Sequence, residues 1–334
     1  MVSLTAWSHS LLDYLLSFCS LIQNREVGWK TWDRRTGQFM REKQLLWKKT
    51  KLLVLFNPIL ERIDNTHALR PWIHDKTIKE GIEEGKSISH HRIKPFIDFY
   101  HINMKDFSPS DPDAYAKFED FFVRAHADSS RPIHAPSDPS SAVVVADSRV
   151  VVHETVSFAQ RIWIKGRDFT MAEFLQDNIA VERFADGAIA SFRLSPQDYH
   201  RYHSPVSGTI KEFRSLPGDF YNVDPIALTS RVDILTRNAR CWIRIRTEQF
   251  GDVVFVAIGA TDVGTVKVHE QWHRSGAQIQ KGDEVGIFQF GGSSIIVAFE
   301  KDRIVFDEDL SALSKRAIMV DVEVGMSLGR AKKV

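Results

Sequence analysis

Cysteine is scarce: Cys19 and Cys241 are the only two among 334 residues. They form no Cys-x-x-Cys and no framework, which excludes a disulfide-stapled secreted scaffold. Long apolar runs are missing as well, and no stretch reaches the roughly 20 residues that a membrane-crossing helix needs. No basic segment precedes the first apolar residues, and Ser8, Ser10, Asp13, Ser17 and Ser20 interrupt them, so no signal peptide is expected. A cytoplasmic or peripheral-membrane location follows as the expectation. Neither sign of charge is in excess: Lys+Arg 44 against Asp+Glu 43 leaves +1, which argues against a nucleic-acid partner. The glycine-rich dinucleotide and P-loop signatures, the GxSxG elbow and HExxH are all absent. The composition that remains, 43% hydrophobic and 26% charged, is that of an ordinary globular protein.

What is present divides into two textures. Leu4, Trp7, Leu11, Leu15, Phe18 and Ile22 recur at helical spacing with Ser and Thr opposite. Such a helix suits a membrane interface or its own core. The lack of Lys or Arg before Arg25 favours the core. Helical reading continues to about residue 125: Trp29–Leu55 is charged and aromatic with mixed periodicity, Lys76–Lys86 and Ile93–Tyr100 read as short helices, and Phe118, Phe121 and Phe122 form an i, i+3, i+4 core stripe. A Pro/Ser-rich stretch, Ser129–Ser141, marks the change. Beyond it Ala142–Val152, Ala188–Leu194, Cys241–Arg246, Val253–Ile258 and Ile295–Phe299 read as strands, and only Met171–Gln176 as a helix. The expected class is α+β, a helical N-terminal region packed on a mainly β core. Residues 1–90 are assigned to membrane or partner contact and 91–334 to one domain. Two similar strand-to-Gly-Asp segments, Ser204–Asp219 and Ala277–Gly286, resemble a barrel-sandwich hybrid of the biotinyl/lipoyl kind.

Three stretches carry chemistry. In Phe288-Gln-Phe-Gly-Gly-Ser-Ser-Ile-Ile-Val-Ala-Phe299, two glycines and two serines interrupt a buried strand. That is a tight turn, or a place where the Ser293 hydroxyl attacks the unshielded Gly292 carbonyl. In Asp198-Tyr-His-Arg-Tyr-His203 an acid, two histidines and two tyrosines follow a strand, a composition suited to acid/base work. Asp147 ends an apolar strand, where it caps a turn or orients an imidazole. His200 and His203 stand three apart, but Ser204-Pro205 follows and no Cys or acidic ligand cluster accompanies them, so no metal site is expected.

Together these stretches resemble the phosphatidylserine decarboxylase family. The likeness rests on Asp198-Tyr-His-Arg-Tyr-His-Ser-Pro205, Gly292-Ser293-Ser294, Gly259-Ala-Thr-Asp-Val-Gly-Thr265, Ala146-Asp-Ser-Arg149, Trp163-Ile-Lys-Gly166, Leu216-Pro-Gly-Asp-Phe220 and Phe118-Glu-Asp-Phe-Phe-Val-Arg124 with Arg131-Pro132, in order over roughly residues 93–300. The resemblance implies a pyruvoyl-dependent carboxy-lyase made by self-cleavage between Gly292 and Ser293, without pyridoxal phosphate or metal. Asp147, His203 and Ser293 would form the processing triad, with Asp147 holding His203 and His203 deprotonating Ser293. Ser293 would become the covalent pyruvoyl group, His200 would position substrate or donate a proton, Tyr202, Asp262 and Thr265 would line the substrate site, and Gly208 and the Gly259 segment would shape it. The small chain 293–334 would stay bound, and a homodimer is compatible with the sequence. Two positions depart from the family: Ser294 replaces the usual Thr, and Asp262 is acidic where a neutral residue is usual. Three functions therefore compete. The first is conversion of phosphatidylserine to phosphatidylethanolamine with peripheral membrane contact. The second is decarboxylation of a free, aromatic amino acid such as tryptophan. The third is an uncleaved β scaffold.

Overall fold

The computed structural model describes residues 30–42, 87–156, 170–177, 183–184, 186–219, 234–260, 265–289 and 293–332. The amphipathic segment 4–22, the helix expected at 76–86, the 163–166 segment, Asp262 and Gly292 lie outside the described residues.

Strands of alternating or continuous apolar residues build a ten-stranded sheet. Its order is Gln278–Ile279, Gly208–Leu216, Arg240–Arg246, Asp252–Ile258, Ser293–Phe299, Ala188–Leu194, Ser148–His153, Met319–Val322, Lys30–Asp33, Gln38–Arg41. All neighbours are antiparallel except Lys30–Asp33, which runs parallel to Met319–Val322. Ser293–Phe299 is central and every residue of it is buried, as a continuous run of Ile, Val, Ala and Phe requires. Around it pack Phe192, Trp242, Phe250, Phe255 and Phe288; each such side chain removed from water contributes roughly 1.5–3 kcal/mol. Thr265–Val268, Glu284–Gln289 and Arg201–His203 form a second sheet, and Ile304–Phe306, Ser327–Ala331 and Ser141–Val143 a third.

The α+β class holds, and the described strands close no barrel. The two similar segments do become neighbours, Thr209 opposite Gln278 and Gly208 opposite Ile279. Gly208 serves the packing on its other side, against Arg240–Arg246: a Cβ there would lie 2.4 Å from the Arg246 carbonyl oxygen. Ile93–Tyr100 and Phe118–Phe122 are helices, and Ile93, Phe118, Phe121 and Phe122 share a small core with Tyr115.

Two expectations are corrected. Residues 30–41, read as part of a helical region, form a β-hairpin. Asp33 Oδ1 accepts the Arg35 and Thr36 amides, Gly37 takes φ +64°, and Trp32 stands edge-on to Phe39 at 4.9 Å. A helix at Glu308–Lys315 was not expected; it buries Leu310 against the sheet. The hairpin is tied to the C-terminal part of the chain, because Arg34 donates to Asp307, Asp309 and the Ser327 carbonyl. At the hairpin's end Glu42, with a side chain 1% exposed, accepts from Arg193 at 2.5 Å and from Ser195 Oγ. Arg193 is the register partner of Ser294 and Leu194 of Ser293.

Candidate active site

The loop leaving Ala188–Leu194 is fixed before it reaches its histidines. Asp198 accepts the Ser195 amide at 2.6 Å and returns its own amide to the Ser195 carbonyl, a reciprocal pair that closes the turn. Arg124 is buried between Phe107 and Phe121 and donates to the carbonyls of Gln197 and Asp198. That is the physical reason for the Phe-Phe-x-Arg element: a guanidinium on an aromatic floor replaces the water those carbonyls would otherwise bind.

The two imidazoles lie at opposite ends of the Arg201–His203 pairing with Glu284–Gln289. His200 faces Phe288, whose amide donates to the His200 carbonyl, and His203 faces Glu284. His200 is fully buried, rests on Phe122 at 3.9 Å, and has Nδ1 2.9 Å from the Asp198 carbonyl. His203 Nδ1 lies 2.8 Å from the Gly282 carbonyl and Nε2 lies 2.9 Å from the Tyr199 hydroxyl. A carbonyl only accepts, so Nδ1 carries the proton in each ring. In His203 the remaining lone pair, on Nε2, receives the Tyr199 O–H. Burial lowers the pKa of His203, which favours this neutral base.

Asp147 does not hold His203: among the described residues no hydrogen bond or ion pair joins them. The Asp147 carboxylate instead accepts Arg131 in bidentate fashion at 2.9–3.2 Å and the Val324 amide at 2.8 Å, and His126 Nε2 stands 3.3 Å from Oδ2. Burial opposes its ionisation, but His126 and Arg131 outweigh burial, and the carboxyl sits at about 2. Asp198 goes the other way. Burial raises it to about 7 against the pull of Arg149, with Glu42 and Asp321 adding to the rise. Arg149 serves Asp198 and Asp321 together.

Ser293 opens the central strand and is fully buried, and its Oγ has no hydrogen-bond partner among the described residues. A buried hydroxyl left unbonded runs against the general rule and calls for a reason. Ser294, by contrast, donates to the Phe192 carbonyl at 2.9 Å. Thr265 is exposed and pairs with Gln289, where the chain enters 290–292. Tyr202 is a core residue: it is fully buried on Phe255 and Phe288 and donates to the Lys267 carbonyl at 2.8 Å, which leaves it no surface for the substrate contact expected of it. No group of His, Cys, Asp and Glu suited to a metal occurs among the described residues. Sequence reasoning missed His126, whose partners come from distant segments, and the role of Tyr199, which joins that histidine to His203.

The described residues thus offer a strand-opening serine whose hydroxyl has no partner among them, two imidazoles fixed through Nδ1, and a carboxylate held ionised. The protein-family model described as phosphatidylserine decarboxylase matches residues 118–330. Phosphatidylserine decarboxylase proenzyme 3 of Schizosaccharomyces pombe is 36% identical over 94% of this chain and 31% of its own length. Phosphatidylserine decarboxylase proenzyme 2 of Oryza sativa subsp. japonica is 40% identical over 75% of this chain and 40% of its own. The phosphatidylserine decarboxylase proenzyme of Fusobacterium nucleatum is 32% identical over 90% of this chain and 97% of its own. The chain thus spans well under half the length of the fungal and plant relatives and nearly all of the bacterial one. It belongs to the phosphatidylserine decarboxylase family.

Proposed function

We propose that this chain is a self-processing carboxy-lyase that converts phosphatidylserine to phosphatidylethanolamine. The observation that carries the reading is the buried Ser293 hydroxyl at the head of the central strand, unbonded among the described residues, in a family whose relatives bear the word proenzyme in their names. The same relatives, from a fungus, a plant and a bacterium, are named for phosphatidylserine, which ranks the phospholipid above a free amino acid such as tryptophan. Phosphatidylserine resides in bilayers, so peripheral membrane contact goes with this reading.

In processing, Ser293 Oγ attacks the Gly292 carbonyl carbon while His203 Nε2 takes the hydroxyl proton. The C–N bond breaks, an ester joins the two residues, and the proton goes to the freed amine. Loss of the Ser293 α-proton expels the Gly292 carboxylate by breaking the Cβ–O bond. Water then replaces the remaining nitrogen as ammonia, leaving a pyruvoyl group on chain 293–334. That group supplies an electron-withdrawing ketone for the loss of CO2. The head of the central strand is buried, and His200 is held rigidly in the loop that follows its partner strand Ala188–Leu194. His200 is assigned to positioning substrate or returning a proton to carbon. Asp147 contributes a fixed negative charge, and Thr265 lies at the rim.

The test is a denaturing gel with mass spectrometry of the small fragment, combined with CO2 release from phosphatidylserine vesicles and from free tryptophan. The wild type should give a fragment beginning at position 293 with a ketone-bearing terminus, and Ser293→Ala should remain one inactive chain. His203→Ala should block scission, whereas His200→Ala should be cut yet release CO2 at least tenfold more slowly. Activity from an uncut chain, or activity on tryptophan alone, would overturn the reading.

A further inference from the structure

Asp147 and His203 are not bonded, yet an unbroken run of contacts connects them. His126 Nε2 faces the Asp147 carboxylate at 3.3 Å and its Nδ1 faces the Asp106 carbonyl at 3.2 Å. Both partners only accept, and the buried Nε2, although close to the carboxylate, completes no hydrogen bond of good geometry with it. The ring lies between Phe107, nearly parallel at 4.9 Å, and Tyr199 at 3.9 Å. Tyr199 in turn stacks on His203 at 5.7 Å and donates its hydroxyl to Nε2. Burial keeps this phenol protonated by raising its pKa, so it remains a donor. Tyr199 has little freedom, being 3% exposed, and its ring position depends on the ring beneath it.

We infer that His126 is a positioning residue through which Asp147 acts on His203. Asp147 fixes His126, His126 fixes the Tyr199 ring, and the Tyr199 hydroxyl holds the Nε2 lone pair of His203 in place until scission. The inference rests on the scission reading above and deepens it: the acid of the expected triad works at one remove, through a second histidine and a tyrosine. His126 appears in none of the sequence motifs, and its role comes only from where strand Ala125–His126 lies.

The experiment is a double-mutant cycle on the rate of chain scission in freshly synthesised full-length protein. Asp147→Asn and His126→Gln should each slow scission at least tenfold, and the double variant should be no more than about twofold slower than the slower single, as expected of two residues acting on one route. The pH profile provides a readout that loss of packing alone would not move. His203 is faced by Tyr199 and Arg201 from its own segment, by Glu284 from the neighbouring strand, and by Asp147 and His126 from the other side. His126 is among the groups that lower the pKa of His203, so His126→Gln should move the midpoint of the scission profile to higher pH. Should His126→Gln fail to fold in an uncleavable Ser293→Ala chain, Tyr199→Phe removes a single oxygen and should likewise abolish the dependence on Asp147. Wild-type scission by His126→Gln, or multiplicative losses in the double variant, would overturn the inference while leaving the scission reading intact. A wild-type chain that is never cut would overturn both.

Discussion

Two buried aspartates flank the site and hold their protons oppositely. Asp147 has Arg131 on both oxygens, the Val324 amide and His126, and its acidic neighbours Asp106 and Glu323 are about a quarter exposed. Asp198 must share Arg149 with Asp321 and lies in the field of Glu42, whose own guanidinium partner is Arg193. Three acids there divide two guanidiniums in a dry region. Burial alone would push both aspartates up; at Asp147 the His126 and Arg131 contacts outweigh burial, whereas at Asp198 burial, helped by Glu42 and Asp321, outweighs Arg149, so one sits near 2 and the other near 7. Identical side chains at similar depth thus become a permanent charge and a group able to exchange a proton near neutrality.

The comparison can be broken by measurement, most sharply in a Ser293→Ala chain, where unfolding stays within one molecule. At pH 7 Asp147→Asn should lose about 1–3 kcal/mol in urea unfolding, because it removes the ionised acceptor shared by Arg131 and the Val324 amide and leaves Arg131 only the more distant Asp106 and Glu323. Asp198→Asn should lose about 1 kcal/mol or less, since Arg149 keeps Asp321; equal losses would refute the contrast. The pH dependence has opposite signs. The folded pKa of Asp147 is lowered, so its stabilisation is full above the unfolded value of about 4 and fades as pH falls through about 2. That of Asp198 is raised, so its favourable contribution is full below about 4 and is lost as pH rises through about 7. Stability of Ser293→Ala relative to its Asp198→Asn derivative should therefore increase from pH 7 to pH 4. Relative to its Asp147→Asn derivative it should stay level over that range and fall below it. Gly208→Ala is the control: it should cost about 1–3 kcal/mol from overpacking against the Arg246 backbone, with the pH behaviour of both aspartates unaltered.

Much of the β core is legible in the chain, because each strand displays its own apolar run. Ala188–Leu194 and Ile295–Phe299 need no distant partner to be recognised. The phenylalanine stripe at 118–122 is equally local. The hairpin 30–41 is not, since its four-residue strands are too short to display a period and its neighbour is Met319–Val322. The helix 308–315 left a weak trace, acidic Glu308 and Asp309 in the first turn and Lys315 in the last, around only Leu310 and Leu313. At the site, Asp147, His200, His203 and Ser293 announce themselves by residue type and order. Who touches whom does not: His126 sits in a plain Ala-His-Ala context, and its neighbours Phe107, Asp147 and Tyr199 arrive from three other segments.

The placement of Ser293–Phe299 between two partner strands has a further consequence. A cut just before it would yield two polypeptides interleaved in one sheet, the shorter also inserting Met319–Val322 between Ser148–His153 and Lys30–Asp33. Once such a pair is denatured, reassembly becomes a second-order encounter that dilution defeats. Maturation would then be a one-way commitment: the matured protein endures by the slowness of its unravelling, because it has given up the ability to fold again alone.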